Sequence, residues 1–336
     1  MCIRDRPFES KVYNYNLPKE SINQTPYTDP NLSKLLIADT KQIIEFKDIS
    51  SIIKKPSLFI LNKSQVQSVR VVSKKSTGGK IEVFVLDIRS TYIATCLIKS
   101  TDKKVLNKKY KLQNFNFEII RILNDTYEIK FNIPVTEIIK SHGQIPLPPY
   151  IKDDSSKYEY YNNQFAEGGF SVASPTAGLH FSNQQINKLT KEGHQFIFIN
   201  LDVNIDTFKP ITERYLEAHK IHKENYQISK NDYEIILNAK NSNIDIYCIG
   251  TTSLRAIESA YVTGELSSST DYFIYPDTKI NIPNYLITNF HAPNSSLLSI
   301  VDCIYGSQWK DLYNFAIDSE LKFLSFGDAV LFNVNE

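Results

Sequence analysis

Three short stretches carry residues of the type and spacing needed to hold an anion beside a proton-transfer group. In Ser171-Val172-Ala173-Ser174-Pro175-Thr176-Ala177-Gly178-Leu179-His180-Phe181, a strand of small residues runs into a serine and a proline. Serine caps exposed helix N–H groups, and proline at the first helical position forfeits no hydrogen bond, so a helix is predicted from Pro175 to Lys191. Free backbone donors at such a junction suit a carboxylate, a phosphate or a ribose oxygen, and a tight turn would aim Thr176 and His180 at the same opening. The second stretch, Ile249-Gly250-Thr251-Thr252-Ser253-Leu254-Arg255, sets a glycine before three hydroxyl residues and an arginine one turn further on. Glycine permits close backbone approach, and arginine can grip a carboxylate bidentately. Neither the spacing nor the lysine of a Walker loop is present. The third stretch, Leu286 to Ser296, ends a strand with Asn289 and His291 ahead of a capped helix.

A fourth segment places His219, His222, Glu224 and Tyr226 within eight residues. If it is extended, Glu224 and Tyr226 share one face. Histidine or glutamate there can serve as a general base near neutral pH. Other readings stand beside these. Each junction can be an ordinary capped helix, and Arg255 can pair with Glu258 on its own helix. His219-x-x-His222-x-Glu224 has metal-ligand spacing, but no third strong ligand run accompanies it, so no metal is expected. The cluster can also be a polar surface.

These residues need a scaffold, and composition bounds it. The 336 residues, 42% hydrophobic, are enough for one large or two medium domains with a real core. A net charge of +1 means that any RNA partner must be met by a local basic patch. Cys2, Cys96, Cys248 and Cys303 lie far apart, with neither zinc-knuckle nor disulfide spacing. No apolar run approaches a membrane span and no signal peptide is recognisable, so a cytoplasmic protein is expected.

From about Gln65 to Lys140 the hydrophobic period is two, in six short strands with turns at Thr77-Gly78-Gly79 and Leu123-Asn124-Asp125. This reads as a small antiparallel β-barrel inserted into a larger domain. Lys99, Lys103, Lys104, Lys108, Lys109 and Lys111 crowd one of its connections, as either a solvated hairpin or a phosphate-backbone contact. After the stiff Pro-rich run from Gln144 to Ile151, strands alternate with helices. The expected fold is α/β: a mainly parallel sheet with helices on both faces, interrupted by the barrel. Residues 11–64 and 146–336 would form the α/β domain and 65–145 the insert. In such sheets ligands bind beyond the carboxyl ends of the strands, so the three junctions should share a cleft.

The three stretches and the His219–Tyr226 cluster, together with Asp271-Tyr272-Phe273-Ile274-Tyr275-Pro276 and Ser325-Phe326-Gly327-Asp328-Ala329, resemble the S-adenosylmethionine:tRNA ribosyltransferase-isomerase family of queuosine biosynthesis. These six ordered motifs span nearly all of residues 144–331, and Leu17-Pro18, Leu61-Asn62 and Thr77-Gly78-Gly79 carry a weaker match further back. The resemblance implies S-adenosylmethionine as a ribosyl donor, consumed as a co-substrate with no further cofactor. It also implies transfer to the aminomethyl-7-deazaguanine at a tRNA wobble position, with epoxyqueuosine formed and adenine and methionine released. It points to His222, His291, Glu224 and His219 for proton transfer. Ser174, Thr176, His180, Tyr226, Gly250, Thr251, Thr252, Ser253, Arg255 and Asn289 would be binding residues. A monomer is expected.

The chain departs from the family pattern in several places. Pro30-Asn31 replaces Arg-Asp, and Leu61-Asn62-Lys63-Ser64-Gln65 replaces Leu-Asn-Asp-Thr-Arg. Asp202-Val203-Asn204-Ile205-Asp206-Thr207-Phe208 replaces His-Val-Gly-Leu-Gly-Thr-Phe. A divergent relative that binds the same tRNA or nucleoside without turnover is therefore the alternative, and an unrelated anion-binding α/β enzyme is a third.

Overall fold

A computed structural model describes residues 8–123, 126–204 and 210–334. Cys2, the turn at Asn124-Asp125, and Asp206-Thr207-Phe208-Lys209 with its glycine replacement at Asp206 lie outside the described residues.

The chain divides into two compact units, one made of residues 1–65 and 148–336 and the other of Val66–Leu147. In chain order the strands of the first unit are β1 (Lys34–Ile37), β2 (Gln42–Glu45) and β3 (Leu58–Asn62). The second unit contributes β4 (Arg70–Lys74), β5 (Lys80–Ser90), β6 (Ile93–Lys99), β7 (Lys109–Lys111), β8 (Asn116–Leu123) and β9 (Thr126–Phe131). It ends with helix α1 (Val135–His142) and the short β10 (Gly143–Gln144). The first unit resumes with α2 (Asn183–Lys191), β11 (Gln195–Leu201), β12 (Glu224–Gln227), α3 (Lys230–Asn241), β13 (Ile246–Ile249) and α4 (Thr251–Thr263). It closes with β14 (Ser267–Thr270), β15 (Tyr285–Asn289), α5 (Leu297–Tyr305), α6 (Trp309–Asp318) and β16 (Ala329–Asn333).

The first unit is built on a nine-stranded sheet in the order β14-β12-β11-β3-β13-β15-β16-β1-β2. Strands β11, β3, β13 and β15 run parallel at its centre, as does the β16–β1 pair. The pairings β14–β12, β12–β11, β15–β16 and β1–β2 are antiparallel. The sheet is therefore mixed, not mainly parallel. At one edge β2 turns straight back from β1, at the other β14 arrives through α4 to pair antiparallel with β12, and β16 returns antiparallel beside β15 after α5 and α6.

Every residue of β3 is buried, as a central strand covered on both faces requires. Its alternation sorts the core. Leu58 and Ile60 join a cluster with Leu254 and Ile257 of α4 and Leu312 of α6. Phe59 and Leu61 face the other way, onto Phe46, Phe181 and Leu189. Helices begin where capping chemistry allows: Ser182 accepts from Gln185 N–H at 3.0 Å, and Ser229 from Asp232 N–H at 3.1 Å.

The second unit is a curled antiparallel half-barrel in the order β10-β4-β5-β6-β9-β8-β7. Register shifts between Val85 and Asp87, Ile88 and Ser90, and Ile119 and Arg121 bend it. An isolated Lys75–Leu112 bridge, with Ser76 N–H donating to Lys111 O at 3.0 Å, draws the end of β4 toward the end of β7. The period-two reading did not anticipate helix α1, whose buried Val135 and Ile138 follow Pro134.

Candidate active site

The carboxyl ends of β13 and β15 open onto a cavity of about 280 Å³. Its lining includes Ser174, Pro175 and Thr176 from the first stretch and Gly250, Thr251 and Thr252 from the second. Asn289, His291 and Ser295 come from the third. The three junctions thus share one cleft at the strand ends.

Local structure departs from expectation at the first junction. Ser171 makes only an isolated bridge, no regular strand covers Val172 or Ala173, and Pro175 starts no long helix. A 3-10 turn spans Thr176–His180, and α2 begins afresh at Asn183 with Ser182 as its cap. The Pro175 backbone (φ −73°, ψ 76°) has the ψ of an inverse γ-turn rather than of a helix, and with the close packing of Gly178 against Asn163 this explains the break.

At the second junction Gly250 precedes α4 with φ +86° and ψ 150°, a conformation essentially reserved for glycine. The first bond along α4 runs from Leu254 N–H to Gly250 O at 3.2 Å. The N–H groups of Thr251, Thr252 and Ser253 therefore have no intrahelical acceptor, and the positive end of a 13-residue helix meets the cavity. Two cavity-lining hydroxyls, Ser174 Oγ and Thr252 Oγ1, are buried without a hydrogen-bond partner, as is Ser253 Oγ behind them. Buried polar atoms are rarely left so, and a bound polar ligand would satisfy them.

His291 is 6% exposed, and burial pushes its imidazole down to about 3, so the ring is neutral at physiological pH. Its carbonyl accepts from Tyr15 O–H at 2.5 Å, and its Nε2 lies 3.4 Å from Thr288 Oγ1. Asn289 organises the floor. Its Oδ1 accepts from Thr176 Oγ1 at 3.1 Å, while its Nδ2 donates to Leu324 O at 3.1 Å and to His180 Nε2 at 3.2 Å. His180 Nε2 must then be the acceptor. The ring proton sits on Nδ1, 2.8 Å from Ser33 Oγ, and Ser33 in turn donates to Pro30 O. Burial lowers His180 to about 4. His180 thus acts behind the cavity wall, holding Asn289.

The fourth segment does not reach this cavity. His219 Nδ1 is 2.6 Å from Glu213 Oε2, a contact that holds the Glu213 carboxyl down at about 2. His222 is exposed. Glu224 and Tyr226 do share the buried face of β12. Tyr226 O–H donates to Glu265 O at 2.8 Å, and Glu224 is paired with the Arg255 guanidinium. Arg255 also donates through Nε to Tyr272 O at 3.2 Å, and its second terminal nitrogen is buried without a partner. Glu258, the carboxylate considered for Arg255 on its own helix, instead accepts from Asn281 N–H at 3.0 Å and Ile282 N–H at 2.7 Å. Among the described residues no group of three or more His, Cys, Asp or Glu side chains is arranged to hold a metal ion.

The motif reading did not single out Tyr150, Leu324 and Ser325 as site residues, although they also line the cavity. Tyr150 O–H and Ser325 Oγ lie 2.7 Å apart. A signal for these two was present, since Ser325 heads the last motif and Tyr150 lies in the Pro-rich run. Lys63, Gln65, Asp202 and Asn204 are not among the lining residues. Ser64 Oγ donates to Asp202 Oδ1 at 2.8 Å, so these two replaced positions satisfy one another, while Lys63 pairs with Glu167 at 2.8 Å.

Residues 10–332 match the family model described as queuosine biosynthesis protein. The S-adenosylmethionine:tRNA ribosyltransferase-isomerase of Fusobacterium nucleatum is 35% identical over 338 residues, covering 95% of each chain. That of Nitrosomonas europaea is 32% identical, covering 97% of each. The crystal structure of an S-adenosylmethionine tRNA ribosyltransferase from Thermotoga maritima aligns with a TM-score of 0.53 at 26% identity, over 95% of this chain and 99% of that one. The chain belongs to the S-adenosylmethionine:tRNA ribosyltransferase-isomerase family of queuosine biosynthesis.

Proposed function

We propose that the chain transfers and isomerises the ribosyl group of S-adenosylmethionine onto the aminomethyl-7-deazaguanine at a tRNA wobble position, releasing adenine and methionine. The observation that carries this reading is the cavity at the β13 and β15 ends, where unsatisfied hydroxyls and a helix N-terminus meet a neutral histidine.

The chemistry assigns work to each. A sulfonium acidifies the adjoining ribose C5′ hydrogen, so a neutral imidazole can receive that proton, and His291 is the histidine of the predicted set that lines the cavity. The N–H groups of Thr251, Thr252 and Ser253 are suited to the methionine carboxylate. Ser174, Thr176 and Asn289 would hold ribose hydroxyls. His180 positions Asn289, and Glu224 with Arg255 fixes the frame of α4. Residues 11–64 and 146–336 act as the catalytic α/β domain, and 65–145 as an inserted barrel. S-adenosylmethionine is consumed rather than retained, and the protein works as a cytoplasmic monomer. Among the described residues no helix is long and apolar enough to cross a membrane.

The test is incubation with S-adenosylmethionine and tRNA carrying the aminomethyl-deazaguanine, followed by nucleoside mass analysis. Epoxyqueuosine in the digest is the expected result, lost in His291→Ala. Bound tRNA or donor with no modified nucleoside would favour the non-catalytic alternative.

A further inference from the structure

A second cavity, of about 310 Å³, lies within the same α/β unit. His180 lines it, Asn289 lines the first cavity, and the hydrogen bond between these two side chains stands between the two spaces. Ser325 borders both. We propose that this second cavity seats a purine-type base bearing an exocyclic amino group, beside the site of ribosyl transfer.

The lining sets the ligand class. Tyr27, Tyr160 and Phe326 supply aromatic surface, and the lining holds the Glu159 carboxylate but neither lysine nor arginine, so the cavity suits a flat heterocycle with amino-group donors rather than a phosphate. Enzymes that act on a base extrude it into such a pocket and read its edge by hydrogen bonds. Asn163 provides the edge. It is 5% exposed, and its Nδ2 lies 3.4 Å from both Asn62 O and Pro175 O. Two carbonyl neighbours fix the amide with nitrogen toward them, which leaves Oδ1 as the buried acceptor without a partner. An amino group of a base would satisfy it. Gly178 leaves room for this amide, since a Cβ there would stand 2.7 Å from Asn163 Nδ2 and 2.9 Å from Oδ1.

The proposal rests on the ribosyl-transfer reading, and two bases in that reaction fit it: the adenine of S-adenosylmethionine and the 7-deazaguanine of the acceptor. Calorimetry on the full chain separates them, using S-adenosylmethionine and free 7-aminomethyl-7-deazaguanine as probes. Wild type is compared with Asn163→Leu and Tyr160→Ala, and thermal unfolding reports whether each variant folds. The expected result is a loss of about tenfold in affinity for one probe and not the other, the order expected for one base–aromatic contact. Loss toward S-adenosylmethionine assigns adenine, and loss toward the free base assigns the acceptor. Tyr160 is only half-buried, so Tyr160→Ala decides the matter if Asn163→Leu does not fold. Wild-type affinity for both probes in folded Tyr160→Ala, or no binding of either probe by wild type, overturns the proposal. Probe binding weakened by the variants in a chain that forms no epoxyqueuosine would sink the ribosyl-transfer reading and leave the pocket standing.

Discussion

Gly250 ties backbone conformation to the anion site. At φ +86° and ψ 150° any side chain is strained, and an added Cβ would meet Ala177 Cβ at 3.3 Å. Gly250→Ala should lower unfolding free energy by about 1–3 kcal/mol in urea titration and weaken S-adenosylmethionine binding further. Unchanged binding would separate the α4 terminus from the donor. The two buried histidines make a different kind of prediction. Their folded-state values, about 4 for His180 and about 3 for His291, lie below the ordinary 6.5. The unfolded chain therefore binds more protons in this interval. The stability gained from neutral burial is complete above pH 6.5 and is lost as pH falls toward 4 and then 3. Urea unfolding between pH 7 and 4 should show this decline, with a shallower slope in His180→Gln and in His291→Gln. Equal slopes in all three proteins would mean that burial does not hold these rings neutral.

The ion pair between Glu224 and Arg255 joins β12 at the sheet margin to α4, the helix that presents its N-terminus to the cavity. Both residues are almost fully buried. Removing one partner strands the other's charge, so Arg255→Ala and Glu224→Gln should each cost about 3–5 kcal/mol, and the double variant less than their sum. Stability retained in Arg255→Ala with donor binding abolished would instead restore Arg255 to the ligand, as the motif alone suggested. This pair also marks how far sequence could reach. Gly-Thr-Thr-Ser-Leu-Arg is a local pattern, and the glycine, the hydroxyls and the helix start lie where that pattern puts them. The partner of Arg255 comes from a strand some thirty residues away, and no spacing within α4 encodes it. Similarly, Ser174-Pro175 has the composition of a helix start, but the 3-10 turn at Thr176–His180 is set by tertiary packing around Gly178. The central strands were legible as apolar runs. The sense of β16 beside β15 was not, because periodicity carries no direction.

For the molecule as a whole, a charge of +1 cannot by itself draw a polyanion, so tRNA binding must depend on local concentrations of lysine. The connection from Lys99 to Lys111 is the densest of these, and part of it is already committed within the half-barrel unit. Lys75 and Lys108 lie 2.9 and 3.7 Å from Asp102, and Lys109 lies 3.8 Å from Glu118. Lys104 and Lys108 also donate to the Ser100 and Lys103 carbonyls. Ammonium groups paired with carboxylates release fewer counterions on meeting phosphate. Lys99, Lys103, Lys104 and Lys111, for which no carboxylate pairing is seen in the described structure, should therefore supply most of any phosphate neutralisation. Replacing those four by glutamine should weaken tRNA binding and flatten the plot of log affinity against log salt by about 0.7–0.9 for each phosphate no longer neutralised. S-adenosylmethionine affinity should stay at the wild-type value, because none of the four lines the first cavity. The same replacement at Lys108 and Lys109 should change the slope less. A salt slope identical to wild type in the four-lysine variant would make the connection a solvated hairpin and move the tRNA-binding surface elsewhere on the chain.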